Sequence, residues 1–238
     1  MCGYIGRVTD NPFLQALLIQ LGLEELFDPL TDTPSEIEQF YPAFGSDPKR
    51  MIRGLIIEEE GVKKLIDATW WFDCEQRGEE LVVGKMTTFN ARNLNSPYWK
   101  NALKHHRGIV VATELGESKW QGKKKHQYLM HGQQPFLMGA LYRKFPNGKY
   151  SCAVITRDSH PKFEPYHDKA FPLFLPPEQY FIDLWLNKKI TVHRDIDALL
   201  HSPKLYPELK VAEVKTFKSG KRIGDELQLS SDLSLINE

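Results

Sequence analysis

The chain has 238 residues, of which 41% are hydrophobic, so it can bury the core of one sizeable domain. Its 31 lysines and arginines balance 31 aspartates and glutamates, which excludes a basic or acidic binding tail but not a local basic face. Three cysteines without CxxC spacing argue against a disulfide framework and a cysteine zinc site. Because no apolar run is long enough to cross a membrane, we expect a soluble cytoplasmic protein.

The first half of the chain predicts two helices and three strands, one of which is expected at 81–86, before the polar segment 87–93. Residues 10–12 supply a polar N-cap and a proline for a helix that ends at Gly22. Residues 51–59 have strand composition, and Ser96-Pro97 opens a second short helix. The β-branched segment 107–113 predicts the next strand.

The second half predicts mainly strands. Two strands are expected at 127–131 and 135–145, and a Pro-Asn-Gly turn then leads into a strand over 149–157. A helix entered through prolines is predicted over 175–189, and an alternating strand over 209–218.

Strands clustered in mid-chain with helices around them predict an α+β fold. We expect a single domain over residues 1–224, with a mixed, largely antiparallel sheet or open barrel flanked by helices. Residues 225–238 are expected to form a loose C-terminal tail.

The N-terminal Met1-Cys2-Gly3 is the first candidate functional feature. Loss of Met1 would leave Cys2 with an amine and a thiol on adjacent carbons. Such a group can act as an N-terminal nucleophile, with its own amine as the base. It can also capture an aldehyde as an imine and close it to a thiazolidine. A small residue left at the start of translation is an equally weighted alternative.

Three internal segments carry side chains suited to chemistry. The side-chain amide of Asn90 can donate a hydrogen bond to an amine and accept one from it. The planar guanidinium of Arg92 can donate two hydrogen bonds to a phosphate. A carboxylate in 113–120, where a strand is expected to end, could act as an acid or base, and so could His167 before an apolar segment. Each segment also has a purely structural interpretation. The segment with Asn90 and Arg92 would be a capped loop, the lysine run after 113–120 would be a solvated turn, and His167 would be a structural histidine on a loop.

The other histidines do not suggest a metal site. His105, His106, His126 and His131 lack the spacing of known zinc motifs, and no glycine-rich phosphate loop is present. We therefore expect neither a metal nor a nucleotide cofactor.

Taken in order, these segments resemble the SOS response-associated peptidase (SRAP) family, whose members shield abasic sites in single-stranded DNA. The family opens with Met-Cys-Gly, and its Asn-Ala-Arg motif matches residues 90–92. Its strand ending in an aromatic-Glu-Trp segment aligns without gaps over 112–117. Its Thr-(ten residues)-His element matches Thr156 to His167. The resemblance extends through the proline-rich strand and the helix after it, to about residue 190.

The resemblance implies a covalent mechanism. Cys2 would condense with the ring-opened aldehyde of an abasic deoxyribose and form a thiazolidine crosslink. Asn90 would position the Cys2 amine, and Glu117 would shuttle protons. His167 would assist sugar ring opening and crosslink reversal. The peptidase activity would be self-removal of the residue before Cys2.

The resemblance also implies a DNA interface. Arg92 would hold a backbone phosphate, with Arg107 as a second candidate, and one or both of Trp70 and Trp71 would stack on a base. The implied partner is single-stranded DNA containing abasic sites, in the bacterial cytosol or at the nucleoid. We expect a monomer.

The chain departs from the family pattern near these motifs. Tyr4 stands where the family usually has arginine, and Ser118 follows Glu117 where tryptophan is usual. Residues 70–72 replace a Trp-Gly segment, and Lys169-Ala170 replaces Arg-Met.

Two other functions fit parts of the sequence. A class-II glutamine amidotransferase also begins Met-Cys-Gly, but its Arg-Gly-x-Asp-Ser segment is absent here. In a non-catalytic single-strand-binding module, Cys2 would be incidental and the arginines and tryptophans would provide the binding.

Overall fold

The structure is a computed structural model that describes residues 3–23, 37–44 and 47–233. Its elements are β1 (Tyr4–Val8), α1 (Pro12–Gln20), β2 (Ile37–Phe40), β3 (Met51–Glu59), β4 (Val62–Thr69), β5 (Cys74–Arg77), β6 (Glu80–Val83), β7 (Asn90–Ala91), α2 (Pro97–His105), β8 (Arg107–Gln121), β9 (Lys124–Lys144), β10 (Tyr150–Arg157), β11 (Phe171–Pro172), β12 (Phe174–Leu175), α3 (Gln179–Leu186), α4 (Arg194–His201), β13 (Leu209–Val214) and β14 (Arg222–Leu229).

Five strands close into a mixed barrel. They follow the order β9-β10-β4-β3-β8, and β8 pairs back onto β9. The β10–β4 pairing is parallel, whereas the other four pairings of the ring are antiparallel. Strands β13 and β14 extend the sheet beyond β9, and β1 and β2 extend it beyond β8. The predicted single α+β domain with a largely antiparallel sheet is confirmed.

The core has two layers because successive side chains of a strand point to opposite faces. Val110 and Met138 belong to one buried cluster, which also contains Trp70. Their neighbours Ile109 and Leu137 belong to a second cluster, which includes buried residues of all four helices. The near-continuous apolar runs of β8 and β9 follow from this burial on both faces.

Several elements predicted from neighbouring residues in the sequence are confirmed by the structure. The side-chain oxygen of Asn11 accepts from the backbone N–H groups of Phe13 and Leu14 at the start of α1. Gly22 follows that helix with a φ of +68°, a conformation that favours glycine. The predicted strand at 51–59 and hairpin turn at 146–148 are also confirmed.

The two strands predicted at 127–131 and 135–145 are one strand, β9. The register against β8 shifts between Ala112 and Glu114, where β9 contributes extra residues at 132–135. Gly132 and Pro135 lie in that bulge, and because both residues are uncommon inside strands, the sequence predicts the end of one strand and the start of another there. Strand β8 likewise continues to Gln121, well beyond the predicted end at residue 113.

Three boundaries near the C-terminus were also predicted wrongly. The helix expected over 175–189 covers only Gln179–Leu186, because Leu175 pairs with β9 and two prolines follow it. The strand expected over 209–218 ends at Val214. The tail expected to be loose from residue 225 is, as far as Leu229, part of β14, which pairs with β13.

Candidate active site

A cavity of about 490 Å³ lies beside β1 and the outer part of the β8–β9 hairpin. Its wall includes Ser118 and Trp120 from β8, His167 from the segment before β11, and the aromatic ring of Phe89. Gly3, which directly follows Cys2 in the chain, lines the same cavity. Cys2 itself lies outside the described residues.

The structure brings Glu117 and His167 together at this cavity. Both side chains are buried, and Nδ1 of His167 is 3.8 Å from Oε2 of Glu117. The same Nδ1 lies 2.8 Å from the Ser118 carbonyl oxygen. Because a carbonyl can only accept, Nδ1 carries the proton and, in the neutral ring, Nε2 is the acceptor. The histidine is therefore oriented by the strand that carries Glu117.

The backbone also fixes His167. Its N–H donates to the Phe163 carbonyl at 2.7 Å, within a series of turns that precedes β11. Lys162, in the same segment, reaches the carbonyls of Ser230 and Ser231 and forms a 2.8 Å ion pair with Asp232. The chain just beyond β14 thus holds the segment that presents the histidine.

Asp232 is the centre of that contact. It accepts the backbone N–H of Leu205 at 2.7 Å and lies 3.2 Å from Nε2 of His160. Burial opposes its ionisation, but the hydrogen bonds from Lys162 and Leu205 outweigh burial and hold the pKa of Asp232 below its usual value.

Asn90 occupies the two-residue strand β7, which pairs in parallel with β10 next to Val154. It is half-buried, and the preceding residue, Phe89, lines the cavity. The Phe89 carbonyl accepts from the Val154 N–H and from the indole N–H of Trp70, at 3.0 and 2.8 Å. These bonds fix the backbone on which Asn90 sits.

Arg92 follows β7 and has an exposed side chain. Its guanidinium forms a 3.3 Å ion pair with Asp158, whose side chain is almost fully exposed. An exposed pair of this kind is weak and exchanges readily with other ions. Arg92 therefore stays a candidate for phosphate binding.

Arg107 is a structural residue, which corrects the prediction that it contacts phosphate. It is 3% exposed, and all five of its N–H donors bond to main-chain carbonyls. Burial lowers its pKa to about 10, so the guanidinium stays charged at neutral pH. It also begins β8, ten residues before Glu117, which is about 30 Å along an extended strand.

Trp70 is a core residue, which corrects the prediction that it stacks on a base. Its side chain has no exposed surface, and its indole N–H donates to Phe89. This hydrogen bond holds the residue that precedes Asn90.

Trp71 lies closer to the cavity but is also covered. Its ring stacks on Phe89 at 5.7 Å and contacts the edge of Phe44 at 5.3 Å. Phe44 and Phe89 line the cavity, whereas Trp71 sits behind them. In this conformation Trp71 presents no face to a base.

Sequence reasoning missed the environment of Tyr4. Its ring is buried and stacks on Phe217 at 5.4 Å, and its hydroxyl donates to Glu114 at 3.0 Å. Burial, followed by the nearby Glu114 carboxylate, raises the pKa of Tyr4, and burial raises the pKa of Glu114. The contact depends on the pairing of β1 with β8, in which Tyr4 lies opposite Gly116 and Glu114 lies opposite Gly6, and this pairing was not predicted.

The other two thiols lie in the core. Cys74 donates to the Trp71 carbonyl at 3.0 Å, and Cys152 lies in β10 with no exposed surface. Burial raises the pKa of both thiols, that of Cys74 to about 12.

Within the described ranges, histidines, cysteines and carboxylates form no group of three that could hold a metal ion. None of the described helices is long and apolar enough to span a bilayer.

The fold and this cavity define a single-domain protein built on a five-strand mixed barrel, with a buried Glu–His pair beside its N-terminal strand. The family model for SOS response associated peptidase (SRAP) matches residues 1–217, and the chain belongs to that family. Membership supports a role as a DNA-damage-associated peptidase. No curated protein matches the chain.

Solved structures share the fold. A protein from Bordetella bronchiseptica is 20% identical with a TM-score of 0.60, over 90% of this chain and 100% of that one. A Bacteroides thetaiotaomicron protein is 16% identical with a TM-score of 0.59, over 90% of this chain and 93% of that one. A phage-related protein from Bordetella bronchiseptica is 18% identical with a TM-score of 0.60, over 94% and 100%. At these identities the likeness concerns the fold alone.

Proposed function

We propose that this protein binds single-stranded DNA and captures abasic sites covalently through Cys2 after Met1 is removed. The observation that carries the proposal is the cavity that Gly3 shares with His167. The Glu117 carboxyl lies 3.8 Å from the ring of that histidine. Gly3, to which Cys2 is attached, thus lines a cavity that also presents an acid–base group, as nucleophilic capture of an aldehyde requires.

The reaction joins one aldehyde to one aminothiol and releases one water. The Cys2 amine adds to C1′ of the ring-opened sugar, and the carbinolamine loses water to give an imine. The thiol then adds to the imine carbon, and its proton passes to the ring nitrogen. Because amine and thiol belong to one residue, the second bond forms within a single complex and gains from proximity.

Glu117 and His167 would move the protons in these steps. In its protonated form, the buried Glu117 carboxyl can give its proton to the departing hydroxyl of the carbinolamine, and the resulting carboxylate can then take the proton of the thiol as the ring closes. Nε2 of His167 would accept the O1′ hydroxyl proton, because Nδ1 is bonded to Ser118, and would return it to O4′ as the C1′–O4′ bond breaks and the aldehyde forms. Asn90 would hold the amine.

The peptidase activity would be the cleavage that exposes Cys2. Only one peptide bond, that between Met1 and Cys2, has to be broken for the amine to become available. The intact mass of the purified protein reports on this step directly. A protein that retains Met1 has no free Cys2 amine and cannot crosslink by this route.

The test uses a single-stranded oligonucleotide that contains one abasic site. Wild-type protein should give a heat-stable complex whose mass equals protein plus DNA minus one water. An oligonucleotide with an intact base should give none. If Cys2→Ala forms the complex as well as wild type does, the proposal is wrong.

Cys2→Ser is the matched control that separates the two functional groups. It keeps the amine, so an imine should form and become permanent only when borohydride reduces it. Wild type should need no reduction, because the thiazolidine is stable by itself. A wild-type complex that also depends on borohydride would contradict the thiazolidine step.

A further inference from the structure

Trp120 is exposed beside the cavity, whereas the other four tryptophans are buried. Its side chain is 63% exposed, and no described aromatic ring stacks on it. A large exposed aromatic next to a site often marks a binding surface. Stacking on a DNA base was expected of Trp70 or Trp71, but neither of them is accessible.

The strand aims Trp120 toward the cavity. Gly116, Ser118 and Trp120 alternate along β8, and all three line the cavity. Trp120 lies two residues beyond Ser118, whose carbonyl accepts from His167, or about 7 Å along the same face of the strand. That offset is suited to a nucleotide neighbouring the one at the Glu117–His167 pair.

Positive charge surrounds this tryptophan. Residues 119–125 form the tip of the β8–β9 hairpin and contain four lysines without a carboxylate. Lys125 pairs directly with Trp120 across the hairpin and also lines the cavity, as does Lys169. The sequence contains no aspartate or glutamate from Ser118 to Arg157.

A second cationic loop lies on the same wall. The 215–221 loop joins β13 to β14 and contains three lysines without a carboxylate. The N–H of Phe217 donates to the side chain of Gln127 in the first hairpin at 3.2 Å, and Phe217 lines the cavity. Phe217 also stacks on Tyr4, the residue that replaces an arginine. Cationic side chains are thus supplied here by the two loops.

We propose that hairpin tip 119–125 and loop 215–221 together bind the single DNA strand that flanks the captured nucleotide. Trp120 stacks on one base, and the lysines of both segments contact phosphates. The proposal rests on the proposed function for the identity of the captured nucleotide. The cavity is lined by three lysines, Lys119, Lys125 and Lys169, against one described carboxylate, Asp168. An exposed aromatic in this cationic surrounding favours nucleic acid over an acidic peptide, which offers charge but no bases to stack.

Fluorescence tests the stacking directly, because Trp120 is the one tryptophan whose surface is largely exposed, at 63% against 7% or less for the other four. The probe is an undamaged oligothymidylate, and the protein carries Cys2→Ala so that no crosslink forms. We expect DNA to quench the acrylamide-accessible emission. Trp120→Ala should bind about 5- to 100-fold more weakly, and Trp120→Phe should keep part of the affinity. Tyr180→Ala, which removes an equally exposed aromatic on α3, should bind as the parent does.

The lysines are tested by salt dependence. Replacing Lys123, Lys124 and Lys125 together by glutamine should flatten the slope of log affinity against log salt by about 2, at about 0.7 for each phosphate contact on a single strand. The proposal is overturned if the oligothymidylate does not bind, or if it binds without involving Trp120 and these lysines. It is also overturned if polyglutamate of equal charge quenches Trp120 as strongly.

Crosslinking with wild-type protein and abasic DNA separates this inference from the proposed function. If DNA quenches Trp120 but no crosslink forms, the DNA-binding role of segments 119–125 and 215–221 is supported and the proposed capture chemistry is wrong. If the crosslink yield at low DNA concentration is equal in wild type and Trp120→Ala, the capture chemistry is supported and the DNA-binding role of Trp120 is wrong.

Discussion

Replacing Arg107 should lower the free energy of unfolding but should not weaken the affinity of the folded protein for DNA. Its five donors bond to carbonyls at 2.6 to 2.9 Å, on residues 103, 104, 185, 187 and 190. Arg107 therefore joins the end of α2 to the end of α3. Arg107→Met leaves all five carbonyls without this donor, although those near the surface regain water.

We expect a loss of about 4 kcal/mol in the free energy of unfolding, because the carbonyls lose hydrogen bonds to a charged donor, each worth about 1.5–3 kcal/mol where water does not replace it. For a chain of this length, that corresponds to a fall of roughly 8–16 °C in Tm. Arg107→Lys should lose about 2 kcal/mol, because an ammonium keeps the charge but supplies three donors from one point.

Urea denaturation followed by circular dichroism measures the stability, and fluorescence anisotropy of a labelled single strand measures the affinity. Arg92→Met is the matched control: it should change stability by less than about 0.5 kcal/mol, as exposed substitutions usually do, and weaken DNA binding. If Arg107→Met lost less than about 1 kcal/mol while its affinity fell, the structural role assigned from its hydrogen bonds would be wrong.

Glu117→Gln keeps the shape of the side chain but removes its basicity, so crosslinking should slow by about 10²- to 10⁴-fold in a quench time course, with unchanged affinity for undamaged DNA. An equal loss of both would make Glu117 structural. Trp70→Phe removes the donor to Phe89 and should cost about 2 kcal/mol of unfolding free energy in a urea titration; full stability would mean that the bond contributes nothing. Asp232→Asn should cost about 1 kcal/mol at pH 7, because the lowered pKa of Asp232 stabilises the fold above the unfolded pKa of about 3.9. That difference should vanish as the pH falls through the folded pKa, and a pH-independent difference would exclude the ion pair as its cause.

Elements with local signals could be predicted from the sequence. The N-cap at Asn11 and the glycine at residue 22 limit α1, and the turn at 146–148 sets the β9–β10 hairpin. In each, the residues that specify the element lie within or beside it. The ordered family motifs similarly identified Glu117 and His167, which the fold then brings together.

Features that depend on long-range contacts could not be predicted. Arg107 and Trp70 have side chains typical of DNA interfaces, but the same chemistry satisfies carbonyls inside a core. Their burial is set by α3 and β7, which are distant in sequence. Strand β14 has mostly exposed side chains, so its hydrophobic pattern is weak and only pairing with β13 reveals it.

The burial of Cys74 and Cys152 also determines how the protein responds to oxidants. Both thiols lie in the core with raised pKa values, so in the folded state they are shielded from peroxide and from other thiols. A disulfide between two native molecules therefore has to join Cys2 to Cys2. Oxidative damage would fall first on the residue proposed to capture the lesion, and a reductant that cleaves the disulfide would restore it. In the folded protein, a stoichiometric maleimide titration thus counts reduced Cys2 thiols, and the intact mass shows which of those molecules have also lost Met1.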